Sequence, residues 1–191
     1  MVKSQTFSLV SNKQQLDDDR DLIEKAKIDP HAFEELYRRH VQAVYKYFYN
    51  RTWNQNEAED LTEQTFMAAL EGIQQYRENG LFLAWLFSIA RRKAADHFRT
   101  KAKQTSIEIP DDIPVNSDFL NDLIQSERRK AIADIFNTLL ESEKELIRLR
   151  YVAELSFAEI GRLLHRSEGA VKKALYRIIG RMRKQLEEKY E

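Results

Sequence analysis

Residues 142–186, SEKELIRLRYVAELSFAEIGRLLHRSEGAVKKALYRIIGRMRKQL, decide how this chain folds. Two Ser-x-x-Glu pairs, Ser142 with Glu145 and Ser156 with Glu159, fit the capping box, in which the serine accepts from an orphan amide and the glutamate reaches back to the cap. They predict helix starts at Ser142 and Ser156. The second of these helices is short, from Phe157 to about Leu164. His165-Arg166 then leads to Ser167, a third good N-cap, which opens a long final helix. Short helix, tight turn and second helix together make a helix-turn-helix.

On the last helix Val171, Leu175, Ile178, Ile179, Met182 and Leu186 recur at three- and four-residue steps, an apolar stripe for packing on the two preceding helices. The other side is basic. Lys172, Lys173, Arg177, Arg181, Arg183 and Lys184 fall within one stretch that holds no acid. Such a density suits the neutralisation of phosphates while the helix N-terminus enters a major groove. Basicity alone would fit a solvated face equally well, and it is the caps and the turn that point to DNA.

The 191 residues suit one or two small domains, and the net charge of zero conceals opposite local patches. Between Arg91 and Lys103 stand Arg91, Arg92, Lys93, Arg99, Lys101 and Lys103 against Asp96 alone, whereas Glu108 to Glu127 carries only acids among its charged side chains. The chain has no cysteine, which excludes disulfides and thiolate metal sites and fits a reducing, cytoplasmic setting. No apolar run approaches the roughly 20 residues of a membrane span, and the N-terminus lacks the pattern of a secretory signal, so no direct membrane insertion is expected.

Along the chain, residues 1–16 read as a polar tail, and Asp17, Asp18 and Asp19 precede a short helix to about Lys27, placed to favour its dipole rather than to bind a cation. Asp29-Pro30 caps a long helix whose Phe33, Leu36, Tyr37, His40, Val41, Val44, Tyr45 and Phe48 hold helical spacing. His40 on that stripe reads as a buried histidine, since no second ligand stands at metal-site spacing. After Asn54-Gln-Asn56, a helix from Glu57 to about Ile73 turns Ala58, Leu61, Thr65, Ala68, Ala69 and Phe66 inward. Beyond Asn79-Gly80, Phe82, Trp85, Leu86, Ile89 and Ala90 form the apolar face of a helix that continues into the basic segment. Pro110 and Pro114 lie in a polar, acidic stretch with the composition of an interdomain linker, and a further helix is expected from Phe119 to about Leu139. No segment alternates like a half-buried strand. The fold class expected is all-α: residues 17–103 as one helical domain, 104–118 as an acidic flexible linker, and 119–191 as the helix-turn-helix domain.

Three blocks in this order resemble the bacterial RNA polymerase sigma factors, specifically the extracytoplasmic-function group (ECF, group 4 of the sigma-70 family). Glu57-Ala-Glu-Asp60-Leu-Thr-Glu-Gln64-Thr-Phe66 is similar to the polymerase-binding helix. Phe82-Leu-Ala-Trp85-Leu-Phe-Ser-Ile-Ala-Arg91, with Asp96 and Arg99, is similar to the promoter-melting helix. Glu159-Ile-Gly with Gly169-Ala-Val171-Lys172 and Arg177 resembles the minus-35 reader. The resemblance covers about Leu22 to Leu186. It implies a non-catalytic specificity subunit whose first domain (region 2) docks on the clamp helices of the beta-prime subunit of core polymerase and opens the minus-10 element. The second domain (region 4) grips the minus-35 element and meets the flap of the beta subunit. It also implies an anti-sigma protein as inhibitor.

On that reading Glu57, Asp60, Leu61, Gln64, Phe66 and Met67 form the polymerase-binding set, with Glu59 and Glu63 adding charge around an apolar centre. Opened, single-stranded promoter DNA asks for cations along its backbone and aromatic planes or pockets for its bases. Tyr76, Asn79, Phe82 and Phe87 are the candidates around a base, Arg91, Arg92, Lys93 and Arg99 those along phosphates, and Trp85 is assigned to the core. At the minus-35 element, Arg166, Ser167, Glu168, Ala170 and Lys173 stand where base edges come within reach, while Lys172, Arg177 and Arg181 suit duplex phosphates. The chain departs from the family pattern at Arg92, where asparagine is usual, at Leu83, where a cation is frequent, and at Glu63-Gln64, whose order is inverted. The family's minus-10 base preference therefore does not transfer directly.

Two other classes remain open. A DNA-binding regulator with an N-terminal sensing domain predicts promoter binding without polymerase and an apolar ligand pocket in the first domain. An enzyme would need a constellation absent here: His31, His40, His97 and His165 show no metal spacing, no glycine-rich phosphate loop occurs, and Asp111-Asp112 lies in the linker. Neither a cofactor nor a metal is expected.

Overall fold

The computed structural model describes residues 20–77, 81–104 and 121–190. All regular structure among them is helical. A short helix α1 over 20–26 leads to α2, Pro30–Thr52. The Asp29 carboxylate accepts from the His31 amide at 2.9 Å and Pro30 holds the first helical position, so both predicted start signals operate. Trp53 ends α2 in the left-handed region (φ 52°). One residue later Asn54 caps α3, Gln55–Gly72, by accepting from the Glu57 amide at 3.0 Å. So short a connection folds α3 back on α2. A 3₁₀ turn, Ile73–Gln75, precedes α4, Phe82–Gln104, which packs across α3.

The buried stripe of α2 is Phe33, Leu36, His40, Val44, Tyr47 and Phe48. His40 lies in the core against the Phe82 ring at 5.5 Å, as its spacing predicted. Tyr37 does not join the core: it is 41 % exposed and lies edge-on to Phe66 at 4.8 Å. Tyr47, outside the predicted stripe, is fully buried, because the C-terminal helices cover the side of α2 that carries it.

α5 is Asn121–Asn137, α6 Glu141–Ile147, α7 Phe157–Leu163 and α8 Glu168–Tyr190. α6 starts at Glu141, and its first turn is closed by Glu143, whose carboxylate accepts from the Leu140 amide at 3.2 Å. The Ser142–Glu145 box is therefore not formed, and Glu145 is buried instead. A π-helical turn, Arg148–Val152, follows α6. The Ser156–Glu159 box forms in both directions: the Glu159 amide donates to Ser156 Oγ at 3.2 Å, and the Ser156 amide to Glu159 Oε2 at 2.7 Å. Between α7 and α8, His165 takes a left-handed conformation (φ 53°) and the Arg166 amide donates to the Gly161 carbonyl at 2.8 Å. A Cβ on Gly161 would lie 2.7 Å from the Arg166 carbonyl oxygen, so only glycine lets the chain pass this closely. Ser167 caps α8 through the Ala170 amide at 3.2 Å.

Val171, Ala174, Leu175 and Ile178 bury the inner face of α8. With Leu149, Leu155 and Ile160 they form the C-terminal core, each large apolar side chain contributing about 1.5–3 kcal/mol on burial. This core is continuous with the N-terminal one. The two helical bodies lie in contact, α4 against α7 and α2 against the π-helical turn. The expected tail 1–16, Asp17 to Asp19, Asn79 and linker positions 105–118 lie outside the described residues.

Candidate nucleic-acid interface

On α3 the helical period separates two faces. Ala58, Leu61, Thr62, Thr65, Phe66 and Ala69 turn inward, while Glu59, Asp60, Glu63 and Gln64 are exposed beside Met67, which is 53 % exposed. Of the six residues expected to bind polymerase, Asp60, Gln64 and Met67 thus share an acidic surface with an apolar spot. Leu61 and Phe66 lie beneath it as core, and Phe66 supports the exposed Tyr37 ring. Tyr37 was missed as a surface residue because its spacing on α2 matched the core stripe. Glu57 turns to α4, with Oε1 2.8 Å from Lys101 Nζ and Oε2 2.9 Å from His97 Nε2. Burial works against the Glu57 charge, but the hydrogen bonds from Lys101 and His97 prevail and hold its carboxyl below the usual value of 4.5.

Around the start of α4, Tyr76, Phe82 and Trp85 form an aromatic cluster with ring centroids 4.9–5.9 Å apart. Tyr76 and Phe82 are buried, and Phe87 is a core residue edge-on to Tyr47 at 5.4 Å. These three expected base contacts therefore shape the site from behind. Trp85 packs against the core, as expected, but is only partly buried, and with Tyr76 it also lines a cleft. The reason lies in the side of the helix: the Phe82 ring turns toward His40, whereas Trp85 lies over Gly72, whose added Cβ would stand 3.3 Å from its ring. Along the expected phosphate path, Arg92 is exposed, Lys93 half-buried, and Arg99 paired with Asp96 at 2.8 Å. Arg91 pairs with Glu145 of the C-terminal body, also at 2.8 Å.

All eight expected minus-35 residues, Arg166, Ser167, Glu168, Ala170, Lys172, Lys173, Arg177 and Arg181, are exposed on the first turns and outer face of α8 or its approach. Arg181 donates to Glu143 at 2.7 Å, and that bond, more than any other influence, holds the Glu143 carboxyl below its ordinary range. Lys172, Lys173 and Arg177 make no ion pair among the described residues.

Glu145 is the polar centre between the two bodies. Its Oε1 accepts from the Tyr47 hydroxyl at 2.9 Å and Arg91 Nε at 2.8 Å, and its Oε2 accepts from Arg51 Nη1 at 3.1 Å. Arg51 also donates to the Tyr47 oxygen at 2.8 Å. Burial pushes the Tyr47 hydroxyl well above its usual pKa, and the Glu145 charge pushes the same way. Burial opposes the Arg51 charge, but Tyr47 and Glu145 outweigh it and keep the guanidinium protonated. Sequence spacing gave no sign of this cluster, because its partners stand 94 and 98 residues apart. The same packing sets Trp85 and Ser88 beside Arg162 and His165 in one cleft, and Arg91 and Arg92 beside Arg166 in another of about 610 Å³.

Comparison with known proteins matches residues 36–104 to the Sigma-70 region 2 family and residues 129–182 to the Sigma-70, region 4 family, between them more than half of the chain. The ECF RNA polymerase sigma factor BldN of Streptomyces coelicolor is 34% identical over 164 residues, covering 83% of this chain and 62% of BldN. The chain thus spans under two thirds of BldN. The ECF sigma factor SigM of Bacillus subtilis is 29% identical over 157 residues, covering 80% of this chain and 93% of SigM. The structure of CnrH in complex with the cytosolic domain of CnrY shares the fold, with a TM-score of 0.58, 24% identity and coverage of 88% of this chain and 94% of that one.

Proposed function

We infer the role of this chain from its kinship: it belongs to the extracytoplasmic-function sigma factors of bacterial RNA polymerase. It directs core polymerase to promoters, and it acts as a specificity subunit rather than as a catalyst, in the cytoplasm where polymerase works. Residues 17–103 serve as the polymerase-binding and melting domain and 119–191 as the upstream DNA reader.

The observation that carries this reading is the pair of exposed faces with opposite charge. On α3, Asp60, Gln64 and Met67 offer acids around an apolar anchor, suited to the clamp helices of the beta-prime subunit. On α8, Lys172, Lys173 and Arg177 make no ion pair among the described residues and stand behind a helix N-terminus that Ser167 caps, as a major-groove reader requires. Trp85, backed by Tyr76 and Phe82, is the aromatic we assign to the opened minus-10 strand, with Arg91, Arg92 and Lys93 along its backbone. Leu61, Phe66 and Phe87 support these faces from the core. An anti-sigma protein would inhibit the chain by covering the acidic face of α3.

Asp60→Lys places a cation at the centre of the acidic face without touching the core. It should abolish copurification with core polymerase and transcription from promoters that the wild-type chain selects, while the melting temperature stays unchanged. A charge-reversed chain that still copurifies would refute the α3 assignment, and a wild-type chain that fails to redirect initiation by core polymerase would refute the function.

A further inference from the structure

We propose that Arg51 and Arg91 form an anion clamp with two alternating occupants: the Glu145 carboxylate, which holds the free chain closed, and a backbone phosphate of promoter DNA, which takes its place when the chain opens. The second occupant rests on the function proposed above. The first stands on geometry alone.

Glu145 sits on α6, yet Tyr47 and Arg51 on α2 and Arg91 on α4 all donate to it from the other body. A carboxylate and a phosphodiester are interchangeable to a guanidinium, since both present anionic oxygens to the same planar donors. Arg51 is not among the expected DNA contacts, and its side chain is only 15 % exposed with Glu145 in place. Withdrawal of α6 uncovers it next to Arg91. The cleft beside the clamp also carries Arg92, so on α4 the row of cations continues past Arg91.

The closed arrangement cannot serve a promoter. The minus-10 and minus-35 elements are separated by about 25 base pairs, or about 85 Å of duplex at about 3.4 Å per pair, whereas α4 and α7 touch. Engaging both elements requires the bodies to part. Although the apolar cores are continuous across the contact, its charged centre is suited to exchange, because breaking up a buried ion pair returns much of its desolvation cost once water and phosphate take over the partners. A second tie, Arg148 Nε to Asn50 Oδ1 at 3.2 Å, is also polar. If only the open fraction binds DNA, the apparent affinity of the free chain falls by that fraction.

The chain has no cysteine, so Glu34→Cys on α2 and Glu187→Cys on α8, both at exposed positions, allow a dye pair to be placed across the two bodies of the full-length chain. High energy transfer is expected in the wild-type background. Glu145→Gln should lower the transfer and tighten binding to a labelled single-stranded oligonucleotide roughly tenfold or more. In that background Arg51→Gln should cut the salt slope of binding by about 0.7, the share of one single-strand phosphate. If Glu145→Gln does not fold, titrating the oligonucleotide into the labelled wild-type chain tests the same exchange: bound DNA must lower the transfer. Low transfer in the wild-type chain, DNA binding at constant transfer, or a Glu145→Gln chain as closed and as weak as wild type would overturn the proposal. The transfer signal needs no polymerase, so a chain that closes but cannot redirect initiation would refute the function and leave the Glu145 latch standing.

Discussion

The two basic helices of this chain, α4 and α8, look alike by charge and differ in what that charge is free to do. On α4, Arg91 is held by Glu145, Arg99 by Asp96 and Lys101 by Glu57. On α8, Lys172, Lys173 and Arg177 face solvent without an ion pair among the described residues, and Arg181 alone of the minus-35 set is tied to an acid. Cation density therefore does not measure a DNA-binding surface; the partners already seated on those cations do. On the proposed function, the cations of α8 would be available as folded, whereas Arg91, Arg99 and Lys101 of α4 would become so only once their acids are exchanged for phosphate.

The comparison breaks most severely where the readiness of α8 is built, at the α7–α8 turn. Gly161→Ala places a methyl 2.7 Å from a backbone carbonyl that cannot swing aside, and should cost about 3 kcal/mol, lowering the melting temperature by roughly 10 °C. Minus-35 recognition by the reconstituted polymerase should be lost, while binding to polymerase through α3 persists. Gly180 gives the contrast: its Cβ would meet nothing within 4 Å, so Gly180→Ala should stabilise the helix by up to about 1 kcal/mol. Thermal melts of the two variants side by side check both signs. Equal melting temperatures would mean that the turn is not set by Gly161.

That turn was legible in the sequence, and the reason is local. Ser156 with Glu159, Ser167 with Ala170, and Asp29 with Pro30 all act within a few residues of themselves, so the pattern and the hydrogen bonds coincide. The same logic failed at Ser142–Glu145. The motif fits a capping box, but the donors that win Glu145 come from α2 and α4, far away in sequence. Tyr47 and Phe87 were misplaced for a related reason. Helical spacing identifies an apolar side, but which aromatic on its flank is buried depends on a second body whose docking no local pattern encodes. For the candidate site, the exposed residues of α8 were legible, whereas the availability of the α4 cations was not.

A smaller perturbation sharpens the contrast on the free side. Lys172 is exposed, with its ammonium 5.9 Å from the Tyr176 ring and no acid partner among the described residues, so Lys172→Ala should lose one phosphate contact and little stability. Binding should weaken alike for all minus-35 sequences, and the slope of log affinity against log salt should fall by about 0.9. Lys173→Ala should instead change which sequence is preferred. Salt titrations of polymerase reconstituted with each variant on matched and mismatched minus-35 fragments separate the two roles. A Lys172→Ala chain with an unchanged slope would show that its charge is as idle as a paired one.

The smallest effect is expected on the occupied side, at Glu57. Because the folded chain holds this carboxyl below its ordinary value of 4.5, its pairing with Lys101 and His97 stabilises the fold above that pH, and the stabilisation drains away as pH falls through the lowered folded value. Glu57→Gln removes the contribution outright. Since the Lys101 partner is 48 % exposed, the loss should be no more than about 0.5 kcal/mol near neutral pH. The gap in melting temperature between variant and wild type should accordingly narrow as the pH is taken below 4.5 and close once it has passed the lowered folded value. Release of Lys101 also frees one cation near the C-terminal end of α4, and if acids there compete with DNA for charge the salt slope for single-stranded DNA should rise slightly. Were that slope to stay fixed while the melting gap closed, Glu57 would be a strut between α3 and α4 and not a competitor for the DNA-binding charge, and occupation by acids would govern α4 through Glu145 alone.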